Sequence, residues 1–307
     1  MELYFAPLEG ITGYIYRNTH RKFFGGCDRY YAPFITPVEN ERLNKKCMRD
    51  ILPENNEGTP LCVQVLANKS EAYFRFENEV LNFDYKEINI NFGCPSGTVV
   101  KKGRGAGFLR EREELDSFLE EVFEKTRAKV SVKTRVGFYS SDEMEYLTEI
   151  YNKYPMELLI VHPRTREEYY RGSADTECFQ KVYLSSKNRL CYNGDIFTAD
   201  YSKSIAERFP DMNGIMIGRG AIANPAIFRE IRGGKKLATD EILGFTDELA
   251  ERYYAVLKSD MYTLHKLKEV WMYMMLNFPD EKKILKAVKK SSTVNELKSA
   301  VSNLPSL

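Results

Sequence analysis

Residues 87–95, Glu87-Ile88-Asn89-Ile90-Asn91-Phe92-Gly93-Cys94-Pro95, carry a short strand-like run straight into a tight turn that holds a thiol. Downstream, Glu111–Arg127 spaces Leu115, Phe118, Leu119, Val122 and Phe123 on one helical face. Strand, turn and helix recur in this way along most of the chain. The other short β-branched or apolar runs are Leu3–Ala6, Arg29–Ala32, Leu61–Val65, Val130–Thr134, Leu158–Val161, Leu190–Asn193 and Gly214–Ile217, which makes eight candidate strands. Strand–helix alternation implies right-handed crossovers and a parallel sheet. Eight such units before residue 220 fit an α/β fold of the (β/α)8 TIM-barrel type, which typically takes about 250 residues. A doubly wound open sheet is the other solution. Its dinucleotide-binding form places a GxGxxG turn after the first strand, whereas here that strand runs into Ala6-Pro7-Leu8-Glu9-Gly10.

The chain has 307 residues, 43% hydrophobic and 29% charged, so it can bury a core and is neither fibrous nor disordered. A net charge of +1 gives no global argument for nucleic acid, and any basic footprint must be local. Six cysteines without CxxC pairs or metal-like His spacing point to reduced thiols and to no metal site. No basic and apolar leader opens the sequence, and no apolar run reaches the roughly 18–20 residues of a bilayer span. The expectation is a cytoplasmic protein that does not enter a membrane.

Composition shifts at Arg232-Gly233-Gly234-Lys235-Lys236, a linker-like stretch. It divides an expected barrel domain, 1–232, from a small helical domain, 237–307. Helices are expected over Thr239–Lys258, Tyr262–Leu276, Glu281–Lys290 and Ser292–Ser302, with Trp271 in the bundle core and Lys282, Lys283, Lys286, Lys289 and Lys290 crowded on the third.

In a barrel the C-terminal strand ends build the active face. Those ends supply Pro7 and Leu8, then Gln64, then Asn91 leading to Cys94, then Lys133 and Arg135. His162 and Arg164 follow, then Asn193 with Asp195, then Gly218 with Arg219. The face is rich in amides, cations and a thiol and poor in carboxylates, which argues against glycoside hydrolysis with its paired acids. A lone Cys is usually a small buried hydrophobe, the reading given to Cys62 and Cys191. Cys94 leaves its strand between Gly93 and Pro95 and is read as functional. Asn193-Gly194-Asp195 and Gly218-Arg219-Gly220 come after the last two strands, where barrels commonly bind phosphate.

The segment Ile88–Ala106 resembles the signature of the tRNA-dihydrouridine synthase family. Ala6–Thr12, Lys133–Gly137, His162–Thr165 with Tyr170, Gly172 and Ala174, and the two late glycine loops resemble its remaining motifs in order, with Leu8 and Pro163 as departures. The resemblance implies reduction of the uracil C5=C6 bond in tRNA, with FMN carrying hydride to C6, Cys94 protonating C5, and NADPH as reductant. It places Pro7, Leu8, Glu9, Gln64, Lys133, His162, Asn193, Gly194, Asp195, Gly218 and Arg219 around the cofactor. Lys133 is expected at the pyrimidine edge of the flavin and Gln64 at its ring. Asn91, Lys101, Lys102, Arg104 and Arg135 are expected to face RNA, and Arg164 either RNA or the cofactor. The target base must leave its stack to be reached, and a monomer suits an enzyme that grips a large RNA. Two other readings use the same residues: a flavin reductase of a free pyrimidine, and an RNA-binding protein without catalysis.

Overall fold

The computed structural model describes residues 1–37 and 45–307. Eight parallel strands close into a barrel in chain order: β1 Glu2–Phe5, β2 Arg29–Tyr31, β3 Leu61–Val65, β4 Glu87–Phe92, β5 Lys129–Gly137, β6 Leu158–Thr165, β7 Leu190–Tyr192 and β8 Gly214–Ile217. Tyr4 of β1 stands opposite Arg29 of β2 on one side and Met216 of β8 on the other, so no strand edge is left open. Every expected strand is present. β5 and β6 run further than their apolar stretches suggest, because they keep pairing through Arg135 opposite His162 and, past a register shift, Gly137 opposite Thr165. Backbone pairing is indifferent to side-chain polarity, which is why the hydrophobic pattern ends too early.

Side chains alternate along a strand, and the barrel sorts them into two sets. Leu3, Phe5, Val63, Leu159 and Ile215 join the large core shared with the surrounding helices. Tyr4, Ala6, Tyr31, Cys62, Leu158, Ile160, Cys191 and Met216 form a separate cluster inside the barrel. Cys62 and Cys191 are therefore interior packing, as read from their strand positions. That interior is apolar from β6 round to β2, with Cys62 of β3 at its margin. On β3 to β5 it is filled by Gln64, Glu87, Asn89, Asn91, Ser131 and Lys133, of which Gln64, Asn89 and Ser131 are wholly buried.

The helix expected over Glu111–Arg127 spans Arg112–Lys125 and buries Leu115, Phe118, Leu119 and Val122. Phe118 meets Phe92 of β4 and Phe108 edge-on, at 6.0 and 5.7 Å between centroids. The C-terminal part is helical: Thr239–Leu257, Asp260–Met274, Lys282–Lys290 and Val294–Val301. Phe245 from the first of these packs against Tyr16, Phe23 and Phe24 of the barrel's first helix and its end. Burying each such ring contributes about 1.5–3 kcal/mol, so the tail is fixed to the barrel by a shared core that also contains Trp271. The Gly/Lys-rich stretch at 232–236 is held rather than loose. Arg232 pairs with Asp28 at 2.6 Å, and Arg229 donates to the carbonyls of Lys235 and Lys236. None of the helices among the described residues is long and apolar enough to cross a membrane.

Candidate active site

A cavity opens at the C-terminal strand ends. Its wall includes Pro7 and Leu8 after β1, Lys133 of β5, His162 of β6, Asn193, Gly194 and Asp195 after β7, and Gly218 and Arg219 after β8. These nine expected cofactor residues thus share one wall. Glu9 and Gln64, also expected there, stand outside it. Glu9 borders a second cavity toward the tail helices, and Gln64 is buried in the barrel interior. Tyr170 and Phe197 complete the wall and were not foreseen as site residues, since they sit in the loops after β6 and β7 rather than at strand ends. The Arg219 guanidinium lies 4.4 Å from the Tyr170 ring centre, an attraction of cation and ring quadrupole. From the tail, Tyr273 also stands close. Burial raises its pKa, and Tyr170 and Arg219 are among the groups that act on it.

The loops after β7 and β8 touch. A Cβ on Gly220 would lie 1.8 Å from the Ile196 carbonyl oxygen, so only glycine fits there. The short helix Arg219–Ala223 begins at this contact, and its first N–H groups have no acceptor within the helix.

Positive charge dominates the site. Arg164 is 1% exposed and grips Asp195 with both terminal nitrogens, at 3.0 and 2.5 Å. Arg219 takes the same carboxylate at 2.8 Å, and the Ala174 N–H adds a fourth donor at 2.9 Å. Burial alone would raise the Asp195 pKa. The Arg164 hydrogen bonds, the Ala174 N–H and the charge of Arg219 outweigh it and hold the carboxyl below its ordinary value. Among the described residues, Asp195 is the only carboxylate in the cavity wall. Lys133 makes no hydrogen bond or ion pair with any of them. Burial, followed by the nearby Arg135, pulls its pKa down to about 8. The expected ammonium is therefore present at neutral pH, with no counter-ion among the described residues.

His162 is a neutral donor. Arginine has no acceptor, so the ring nitrogen Nε2, 3.1 Å from Arg164 Nη1, must be the accepting one and the proton lies on Nδ1. Burial, then the charges of Arg135, Lys133, Arg164 and Arg219, push its pKa well below the ordinary histidine range.

Cys94 sits beside this wall in a turn that the barrel interior holds. Asn91 Oδ1 accepts the N–H of Gly93 at 3.0 Å and of Cys94 at 2.9 Å, a side-chain turn of the Asx kind. Arg135, 1% exposed, donates from Nε to the Gly93 carbonyl at 2.9 Å, and from Nη1 to the carbonyls of Thr165 and Tyr169 at 2.8 Å each. Arg135 thereby ties the thiol turn to the loop after β6. Gly105 lies beneath Cys94 with a left-handed backbone, φ +55°. The thiol is partly buried, which raises its pKa; the Ser96 backbone hydrogen bond, Arg135 and Lys133 pull the other way, and Glu9 adds to the rise. Cys94 keeps its proton at neutral pH.

The expected RNA-facing residues separate by exposure. Lys101 and Lys102 are exposed next to the thiol turn, and Arg104 is held by Asn68 Oδ1 at 3.2 Å. Arg135 and Arg164 are interior braces whose donors go to carbonyls, His162 and Asp195. Asn91 is engaged by the turn and by Gln64. In sequence Asn91, Arg135 and Arg164 read as strand-end polar residues and Lys101, Lys102 and Arg104 as a basic loop after Cys94, and nothing in their spacing tells a brace from a surface group.

These features define an α/β-barrel protein whose active face joins a protonated thiol to a cationic, carboxylate-poor cavity. Residues 4–305 match the dihydrouridine synthase (Dus) family, and the chain belongs to it. Among its relatives is the "Probable tRNA-dihydrouridine synthase" of Rickettsia conorii, 27% identical over 82% of this chain and 77% of that protein. The protein of the same name from Staphylococcus aureus (strain COL) is 28% identical over 73% of this chain and 70% of its own length. Among solved structures, morphinone reductase shares the barrel fold, with a TM-score of 0.50 at 12% identity over 76% of this chain and 86% of that one.

Proposed function

We propose that this protein reduces the C5=C6 bond of uridine in tRNA to 5,6-dihydrouridine, with a bound FMN, an NADPH reductant and Cys94 as proton donor. The observation that carries the reading is the cationic cavity beside the Cys94 turn: four cations act on His162 there, and one carboxylate stands in the wall. Such a site favours an anionic group. The donor set suits FMN, because Arg219 and the first N–H groups after Gly218 offer a phosphate cradle, and Lys133 offers an unpaired ammonium toward a ring that gains negative charge when reduced. When bound, the flavin supplies the hydride.

The chain's own groups divide the remaining work. His162 offers its Nδ1–H to a carbonyl or ring nitrogen and stays neutral while doing so. Cys94 holds a proton at Sγ for delivery to C5 from its own side of the base, and the raised pKa keeps that proton in place until carbanion character develops. Lys101 and Lys102 are positioned to meet the backbone of an RNA whose target base has left its stack. The names carried by the relatives agree with this substrate.

Mass-spectrometric mapping of dihydrouridine in tRNA and rRNA from a deletion strain tests the proposal. Loss at defined tRNA positions is expected, restored by the wild-type gene and not by Cys94→Ser. An unchanged map in the deletion strain would overturn it. Turnover of free uracil without any effect on RNA would point to a small-molecule reductase instead. A purified Cys94→Ser protein should still bind FMN, and undiminished single-turnover reduction by it would remove Cys94 from the proton-donor role.

A further inference from the structure

Glu87, Asn89 and Asn91 alternate with Ile88, Ile90 and Phe92 on β4, so all three polar residues face the barrel interior. There they join one unbroken line of hydrogen bonds. Gly93 and Cys94 N–H donate to Asn91 Oδ1. Asn91 Nδ2 donates to Gln64 Oε1 at 2.8 Å, and Gln64 Nε2 to Asn89 Oδ1 at 2.7 Å. Asn89 Nδ2 donates to Ser131 Oγ at 2.9 Å, and the Ser131 hydroxyl to Glu87 Oε1 at 2.6 Å. The other oxygen of Glu87 accepts Arg29 Nη1 at 2.5 Å, near the N-terminal mouth of the barrel, where the Arg29 side chain is 40% exposed. The line therefore runs from one end of the barrel to the other.

Its direction is forced. A carboxylate only accepts, so Ser131 must donate to Glu87 and can then only accept from its other neighbour. Asn89 must present its NH2 to Ser131 and hence its oxygen to Gln64. Gln64 must do the same toward Asn91, which leaves Asn91 Oδ1 facing the two N–H groups of the thiol turn. Barrel interiors are filled most simply by aliphatic side chains, and a buried polar line is costly wherever one member is left unpaired. We propose that Glu87 is a positioning residue for the Cys94 turn: its fixed acceptor character, relayed through Ser131 and three amides, keeps an acceptor beneath the Gly93 and Cys94 N–H groups.

A neutral amide at position 87 has two ways to sit, and both fail. With its oxygen toward Ser131, its NH2 opposes the Arg29 guanidinium. With its oxygen toward Arg29, it donates to Ser131, whose hydroxyl proton then loses its acceptor: either Ser131 Oγ accepts from both sides and the proton is displaced, or every amide in the line reverses and Asn91 Nδ2 meets the turn's N–H groups. Removing Arg29 as well abolishes the conflict. The experiment is hydrogen exchange at the Gly93 and Cys94 amides in Glu87→Gln and in Arg29→Met/Glu87→Gln, beside wild type. Exchange about tenfold faster is expected in the single variant, as for loss of one or two turn hydrogen bonds, with recovery in the double variant. Unchanged exchange in Glu87→Gln, or no recovery in the double variant, overturns the proposal. Should Glu87→Gln not fold, Ser131→Ala and Ser131→Ala/Glu87→Gln decide. Breaking the line at Ser131 isolates position 87, so these two should exchange alike, and faster exchange in the double variant also overturns the proposal. A kinetic arm rests on the proposed function: in Glu87→Gln kcat for uridine reduction should fall while KM for tRNA holds, because the change lies at the barrel end away from the RNA. Amide exchange reads the turn whether or not the protein reduces uridine, so a wild type without activity would sink the function and leave the relay to be judged on exchange.

Discussion

Gly105→Ala should damage the thiol turn without touching RNA or cofactor. Gly105 has φ +55°, and a Cβ built on it would lie 2.8 Å from the Cys94 carbonyl oxygen, 2.9 Å from Val99 Cγ1 and 3.0 Å from Cys94 Cβ. A left-handed alanine costs roughly 1–2 kcal/mol. Relieving the contacts pushes the Cys94 carbonyl off the Ala106 N–H that it now accepts at 3.0 Å, which removes a hydrogen bond worth about 1 kcal/mol. The sum is about 2–3 kcal/mol, read as a shift of the urea midpoint at constant slope. The same relief moves the thiol by roughly half an ångström, and a displacement of that size costs about tenfold in rate. Gly172→Ala is the control. It too has positive φ, +64°, but nothing within 4 Å of its Cβ, so it should cost only the roughly 1–2 kcal/mol of the left-handed backbone. Denaturation and single-turnover reduction of uridine in tRNA measure the two effects. Equal losses of stability in the two variants, or a Gly105→Ala enzyme as fast as wild type, would refute the steric argument.

Lys133 carries a cost of burial, and its sign can be worked out. Its folded pKa, about 8, lies below the unfolded value, so the unfolded chain binds more protons between them and stability rises as pH climbs through 8. Lys133→Met should therefore stabilise the protein without flavin at pH 7, by roughly 1–3 kcal/mol, with the gain shrinking toward pH 10, while FMN affinity measured by fluorescence quenching falls. Asp195→Ala leaves the buried Arg164 guanidinium without its carboxylate, and urea unfolding should show a loss of about 3 kcal/mol or more, the range for breaking a buried pair. Because the Asp195 pKa is depressed, the wild-type advantage over that variant should be full above the unfolded carboxyl pKa and disappear as pH falls through the folded one. Nitrogen-detected NMR of His162 should show the neutral Nδ1–H form from pH 8 down to pH 5; a protonation step in that window would contradict its placement among four cations.

The residues around the site were legible to different depths. Lys133, His162, Asn193, Asp195 and Arg219 could be assigned to one face because the barrel's topology converts strand order into a ring. Tyr170, Phe197 and Tyr273 could not, since two lie in loops whose path depends on tertiary packing and the third reaches the site from the tail. Arg135 and Arg164 looked like ligand-binding cations at strand ends, yet each spends its donors on carbonyls or on Asp195 inside the protein. A guanidinium that faces RNA and one that braces a loop have the same sequence signature; only burial and partners separate them.

By itself, the sequence determined the barrel and the thiol turn. Strand and helix periodicities are local, eight alternating units can close in few ways, and Gly93 and Pro95 break the strand around Cys94 wherever it is placed. The tertiary structure alone decided what holds that turn. The polar alternation of β4 could have met solvent, ligand or other amides. Closure of the barrel set Gln64 and Ser131 against it, and because a carboxylate cannot donate, the charge at Glu87 then oriented every hydrogen bond up to Cys94.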